Sequence, residues 1–268
     1  MTITKKLSIT RALVDLGSLE DYRDSSVYLE VSEGRFKNGL LEAIALVGAS
    51  QSQTRDGASV VISSPTLTPE LPLPVLVDLG QSLVMRVLDV TNLQLAGRFA
   101  LILGFHAASE RIASAAAALG AQVVVATARP DEAVSAYLAG HSVAPLAEAV
   151  KSAGVIFATE DTASLAEVAE GLPSGAIVID AGGGLEPLLT KLQASSRTIR
   201  TDVRTYHHGE GTKEVFVVES SNDWLTGTDR SLDALIAYTL LKALNSSDPH
   251  ELLALAMVDA FGLEHDRQ

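Results

Sequence analysis

Residues 100–130, ALILGFHAASERIASAAAALGAQVVVATARP, constrain the fold more than any other stretch of the chain. An unbroken apolar run ends in Gly104, an alanine-rich segment follows, and a second apolar run begins after Gly120-Ala121. Strand, glycine turn, helix and strand in that order are the opening unit of a dinucleotide-binding sheet. The rhythm continues on both sides. Periodicity predicts a helix over 79–96, the strand FALILG, a helix over 107–119, the strand QVVVAT, a helix around 131–139 and a short extended HSVAP. It then predicts a helix over 145–152, the strand GVIFAT, a helix over 162–170, the strand AIVIDAG, a helix over 185–193 and a final polar strand pair. Continuous Val/Ile/Leu strands alternating with helices imply a parallel sheet covered on both faces, the α/β doubly wound (Rossmann) class.

The first 78 residues read differently: VYLEV, a helix over 36–48, ASVVISS and the proline-rich TLTPELPLPVLVDLG form a small, partial α/β lobe. Residues 79–228 are the expected dinucleotide-binding domain. Helices over 229–246 and 249–261 are expected to pack back on the first lobe, which would make the cleft between lobes the binding site.

Composition narrows the partners. With 268 residues, of which 47% are apolar, the chain can bury a full core. The formal charge of −13, with Lys and Arg scattered along the chain, argues against nucleic acid or an anionic membrane as partner. The absence of cysteine removes disulfides, thiolate catalysis and cysteine-based metal sites. No apolar run approaches the roughly 18 residues of a membrane span, and MTITKKLSITRALVDLG lacks the apolar block of a signal peptide, so the expectation is a soluble, cytoplasmic protein.

The glycine fingerprint itself is altered. Where G-x-G-x-x-G is expected, residues 104–109 read G-F-H-A-A-S. Gly104 keeps the tight turn. His106 puts a side chain where phosphate ordinarily touches backbone, and Ser109 is a small replacement for the glycine that permits close helix packing. The helix start over 106–109 still offers N–H groups and a positive dipole end to an anion.

Taken together, VDLGQSLVMRVLDVTNLQLAGRFALILGF, AQVVVATARPDEA, GVIFATED, AIVIDAGG and TDVRTYHHGEGTKEVFVVES resemble the cofactor-binding portion of S-adenosylhomocysteine hydrolases over about residues 75–245. Gly80-Gln81-Ser82 matches the last three positions of the G-x-G-Q-S sequence that begins the family's entry helix. The departures are as informative. Pro74 and Val75 stand where the family's Asp-Asn pair would fall, and Ala181-Gly182-Gly183 stands where it has Ile-Gly-His. Gly227-Thr228-Asp229-Arg230 replaces its Gly-His-Pro-Ser, and the ending GLEHDRQ lacks the family's lysine and tyrosine tail. The resemblance therefore implies the fold and a dinucleotide, and the departures speak against adenosylhomocysteine hydrolysis.

The family's ribose-binding glutamate corresponds to Thr127, and Arg129 stands where the family has aspartate. Losing the carboxylate removes repulsion toward a 2′-phosphate, and a guanidinium can bind phosphate bidentately, so the sequence favours NADP over NAD. The alternative is that Thr127 caps a turn and Arg129 is a solvated loop residue. The expected cofactor-binding set is Gly104, Phe105, His106, Ser109, Thr127, Arg129, Thr159 and Gly182.

Glu160 and Asp180 close two strands at their carboxyl ends, where ligands of open α/β sheets bind, and are the candidate catalytic carboxylates. The neighbouring Asp161 reads equally well as a helix cap. Gly182-Gly183-Gly184 would leave room beside a nicotinamide. His106 is a phosphate contact, a catalytic group or a loop side chain. His207-His208 falls in a hairpin, TYHHGEGT, as a surface turn or a catalytic pair, and no spacing suggests a metal. Three functions fit: an NADP-dependent oxidoreductase reducing a small carbonyl or imine; a non-catalytic relative of the hydrolases serving as a binding or regulatory module; or a nucleoside hydrolase or lyase retaining NAD. The apolar runs LIAYTLLKAL and LLALAMVDAF suggest a homodimer.

Overall fold

In the computed structural model, the structure describes residues 8–17, 22–31, 34–63, 73–159, 162–181, 184–192, 197–200, 202–208, 213–218, 229–244 and 248–261. Two compact units are present: residues 1–66, 70–78 and 225–268 form the first, and residues 67–69 and 79–224 the second.

The first unit contains helix α1 (Ser8–Asp15), strand β1 (Ser26–Glu30), helix α2 (Arg35–Leu46) and strands β2 (Ser50–Gln51) and β3 (Val60–Ser63). The three strands form a parallel sheet in the order β2-β1-β3. Helices α9 (Asp229–Ala243) and α10 (Pro249–Phe261) belong to the same unit, α9 lying against α1, α2 and β3 and α10 against α1. Ile9, Leu13, Phe36 and Leu40 are fully buried among them. So are Ile236, Leu240 and Leu241, which places the apolar run of α9 inside its own unit. That run does not supply the partner surface on which the homodimer expectation leaned.

Helix α3 (Leu73–Thr91) starts six residues earlier than the periodicity predicts. The helical periodicity is visible only from 79, yet the helix begins in the proline-rich stretch, where Pro74 falls in the first turn and its missing N–H has no helical acceptor to lose. The helix ends at Thr91 because Asn92 turns into the left-handed region at φ 53°.

Among the described residues, the second unit is built on an eight-stranded sheet. Its elements are β4 (Phe99–Leu103), α4 (Ala107–Ala118), β5 (Gln122–Ala126), α5 (Pro130–Leu138), β6 (Ser142–Val143) and α6 (Leu146–Ala149), followed by β7 (Val155–Ala158) and α7 (Thr162–Glu167). Next come β8 (Ile177–Asp180), α8 (Glu186–Lys191), β9 (Arg197–Arg200), β10 (Val203–His208) and β11 (Lys213–Val218). The strand order is β6-β5-β4-β7-β8-β11-β10-β9. The strands from β6 to β11 run parallel, while β10 and β9 are antiparallel additions. This is the doubly wound order, in which successive strands grow outward from β4 to one side and from β7 to the other.

The apolar runs are continuous because both faces are covered: β7 is buried at all four positions and β4 at four of five. Two expectations need correction at the far end. Strand β11 is not a polar hairpin arm: Val215, Val217 and Val218 are fully buried where it inserts beside β8. His207 and His208 lie within β10, opposite Glu214 and Lys213, rather than in a turn. Among the described residues no helix is long and apolar enough to cross a membrane.

Candidate functional site

In a doubly wound sheet the first strand and its opposite-side neighbour diverge into helices on different faces, and the crevice left beyond their carboxyl ends receives ligands. Here those strands are β4 and β7. Thr159, the residue after β7, is buried and donates its hydroxyl to the Leu103 carbonyl at the end of β4, tying the two strand ends together at the switch point.

The turn leaving β4 shows why one glycine suffices. Gly104 has φ +73°, the left-handed conformation that a Cβ disfavours. His106, at the second fingerprint position, has φ −92° and ψ 176°, extended backbone open to any residue. Its imidazole serves as the N-cap of α4: Nδ1 accepts the Ala108 N–H at 3.2 Å. Ser109, at the third position, is fully buried, and its Oγ accepts the His106 N–H at 2.8 Å and donates to the His106 carbonyl at 3.0 Å. The two side chains thus cap the helix reciprocally, and the Ser109 hydroxyl is engaged within the turn. Burial pushes the His106 pKa below the ordinary imidazole value, with Glu132 opposing that shift and Arg129 adding to it. With Nδ1 acting as acceptor, the ring proton sits on Nε2.

Gly80 explains part of the resemblance in physical terms. A Cβ at this position of α3 would lie 2.6 Å from the Cβ of Arg111 and 2.8 Å from its carbonyl carbon, so only glycine lets α3 approach α4 this closely.

A residue absent from the sequence-based set dominates the next turn. Glu132, in the first turn of α5, is 5% exposed. Its Oε2 accepts the backbone N–H of Phe105 at 2.8 Å and the Thr127 hydroxyl at 2.7 Å, while Oε1 lies 3.3 Å from Nη1 of Arg129. Thr127 in turn accepts the Arg129 N–H at 3.1 Å, and the Arg129 guanidinium pairs at 2.8 Å with the exposed Asp131. The reading of the β5 end as a place without a carboxylate is therefore corrected: the acid missing at 127 is supplied five residues later, against the Thr127 hydroxyl itself. What singles Glu132 out shows only in the fold. Glu132 shares the buried face of α5 with Ala136, one helical turn on, and a carboxylate on a buried face calls for partners.

The structure thus brings Gly104, Phe105, His106, Thr127, Arg129 and Glu132 together at the adjoining ends of β4 and β5. Asp180 closes β8 and is half-buried, and its carboxylate accepts the Gly184 N–H at 3.3 Å. Glu160 and Gly182 lie outside the described residues, as do Asp161 and Gly183. Among the described residues there is no cluster of three His, Asp or Glu side chains able to hold a metal.

A family model described as "S-adenosyl-L-homocysteine hydrolase, NAD binding domain" matches residues 77–222, more than half of the chain. The chain is 39% identical over 105 residues to an adenosylhomocysteinase of Thermotoga maritima, an alignment covering 38% of this chain and 26% of that protein. An adenosylhomocysteinase of Aquifex aeolicus is 31% identical over 148 residues, covering 52% and 35%. An S-inosyl-L-homocysteine hydrolase of Methanosarcina acetivorans is 28% identical over 137 residues, covering 49% and 33%. The alignments therefore span 26–35% of these curated relatives. Among solved structures, a dipicolinate synthase from Bacillus halodurans superposes with a TM-score of 0.48 at 16% identity, covering 82% of this chain and 66% of that one. An L-alanine dehydrogenase gives 0.45 at 15% identity, covering 95% and 94%. At these values the structural likenesses carry no functional argument.

Proposed function

The chain belongs to the S-adenosyl-L-homocysteine hydrolase NAD-binding-domain family, and from that premise we propose that it is a nicotinamide-dinucleotide-dependent oxidoreductase acting on a small carbonyl or imine substrate. The observation that carries the reading is the Gly104 turn, which sets the N-terminus of α4 beside the β4–β7 switch point. The bound dinucleotide would supply hydride chemistry. The chain's own residues hold and orient. Gly104, Phe105 and His106 face the pyrophosphate, Thr127 and Arg129 the adenosine ribose, and Thr159 fixes the crevice floor. Asp180 stands at a strand end where it can hold a cationic substrate by charge or deliver a proton, a role proposed also for Glu160, and Gly182 is proposed to give room for a nicotinamide.

Two groups pull on the choice of dinucleotide. Arg129 is the argument for NADP. The Glu132 carboxylate beside it is the argument for NAD, in keeping with the family's description. We take NAD as the preferred partner. A homodimer belongs to the same reading, supported by Val134, Tyr137 and Leu138 of α5, which are 58%, 73% and 78% exposed; light scattering measures it.

The test is a fluorescence titration of the purified protein with NADH, NADPH and NAD, repeated on Arg129→Ala. Saturable binding with NADH tighter than NADPH is the expected result, and a substrate screen at the nicotinamide absorbance band follows from it. Binding of none of the three overturns the reading. That outcome would favour the second one, a non-catalytic binding or regulatory module, for which one observation speaks: the N–H groups of Phe105, His106 and Ala108 already have acceptors within the protein.

A further inference from the structure

Glu132 is a buried acid in a place where burial needs a reason. An ionised carboxylate withdrawn from water is stable only when donors and cations surround it. Those it has found are the parts of the proposed dinucleotide site: the Phe105 N–H of the glycine turn, the Thr127 hydroxyl at the end of β5 and the guanidinium of Arg129. Its first-turn position in α5 also matches the helix dipole, but an exposed acid would satisfy the dipole equally, as Asp131 beside it does. The inward course of the side chain is what requires explanation.

We infer that Glu132 is the residue that sets dinucleotide selectivity, holding Arg129 against a carboxylate and so discriminating against a ribose 2′-phosphate; this rests on the proposed binding of a dinucleotide at the glycine turn. Selectivity for NAD commonly comes from a strand-end carboxylate, which accepts ribose hydroxyls and repels an added phosphate. Here the strand end is Thr127, and the carboxylate has moved onto the helix. In its new position both hydrogen bonds that Oε2 accepts come from the protein, so Glu132 acts through charge and through Arg129 rather than by grasping the ribose. A phosphate entering beside Arg129 must compete with two carboxylates. Asp131 is 67% exposed at its side chain and screened by water, whereas that of Glu132 is 6% exposed and keeps its field. Glu132 is therefore the one that decides. The same carboxylate links the pyrophosphate end of the site to the ribose end, since Phe105 and Thr127 share its Oε2.

The experiment compares the full chain with Glu132→Gln, which keeps a side-chain oxygen for Phe105 N–H and Thr127 while removing the charge. Dissociation constants are measured for NADH and NADPH, and for two probes lacking nicotinamide, adenosine 5′-monophosphate and adenosine 2′,5′-bisphosphate. The expected result is a shift of both ratios, phosphorylated over unphosphorylated, by about tenfold or more toward the 2′-phosphate. Thermal melting verifies folding. A ratio cancels any general loss of folded protein, so a merely structural role would leave it unmoved. Glu132→Asp, one methylene shorter, draws the charge away from Arg129 without removing it and should shift the ratios in the same direction by about threefold; it serves if the glutamine variant does not fold. An unchanged mononucleotide ratio overturns the inference even where dinucleotides bind. A shifted mononucleotide ratio with no dinucleotide binding upholds the inference and overturns the oxidoreductase reading. No binding of any of the four ligands overturns both.

Discussion

Helices α1 and α4 both begin inside the protein, and each must find acceptors for leading N–H groups that no helical carbonyl reaches. They do so in opposite ways. At α4 the acceptors are local, His106 and Ser109, within three residues of each other. At α1 the acceptor is a single buried carboxylate on α9: Asp233 takes the N–H of Ile9 at 2.6 Å, the N–H of Thr10 at 3.1 Å and the hydroxyl of Thr10 at 2.8 Å, across 223–224 residues of sequence. A local cap forms with its helix and stabilises little else. A cap delivered from the far end of the chain makes the start of one helix depend on the docking of another, so the first unit is closed by a polar contact as well as by its apolar core.

The largest effect should come from breaking the distant cap. Asp233→Ala leaves two N–H groups and a hydroxyl buried without that acceptor, and at about 1–3 kcal/mol for each orphaned group the variant should lose about 3 kcal/mol or more, read as a fall in thermal midpoint of roughly ten degrees. Unchanged melting would mean that water or another acceptor replaces the carboxylate and that the contrast between the caps is not energetic. Ser109→Ala tests the local side. Removing its hydroxyl should cost about 1 kcal/mol, the usual value of a cap, since His106 still accepts from Ala108. A loss equal to that of Asp233→Ala would erase the distinction.

The smallest effect is the most specific to α4. His106 and His141 both have pKa values lowered by burial in the folded protein, while in the unfolded chain they titrate near 6.5. Below that pH the unfolded chain binds more protons than the folded one, so the stability these neutral rings contribute is fully present above about 6.5 and is lost as pH falls through their folded values. For His106 the reason is visible, because a protonated Nδ1 cannot accept the Ala108 N–H. Chemical denaturation between pH 8 and pH 5 should show this decline, and His106→Asn, a cap that does not titrate, should flatten it. An identical slope in the variant would assign the pH dependence to other groups.

Much of the fold was legible in the chain because its signals are local. The apolar runs of β4, β5, β7 and β8 are continuous, and the turn at Gly104 follows from one residue's conformational freedom. Strand β9 escaped because RTIR is short, polar and exposed at all four positions, and it exists only because β10 offers an edge to pair with. The first turn of α3 was not legible because the helical periodicity begins only at 79, while the proline-rich residues before it, Pro74 included, are tolerated in a first turn. The site was legible in part. The placement of Gly104, Thr127 and Arg129 at the strand ends follows from position along the chain, whereas Glu132 looks like an ordinary acid at the start of a helix until its side chain is seen to reach the Phe105 amide, 27 residues back. Asp233 was hidden for the same reason: what makes either carboxylate matter is a partner that folding brings from elsewhere.

The two borders of the large sheet carry a consequence for the protein in a crowded solution. An open sheet ends in strands whose outer amides and carbonyls invite any passing strand to join, the first step toward fibrillar deposits. Here one border is β6, two residues long, too brief to seed an added ladder. The other is β9, where Arg197 puts positive charge on the rim, so that a second copy presenting the same rim meets like charge. The sheet can be this wide and this apolar in its middle because both of its margins resist propagation.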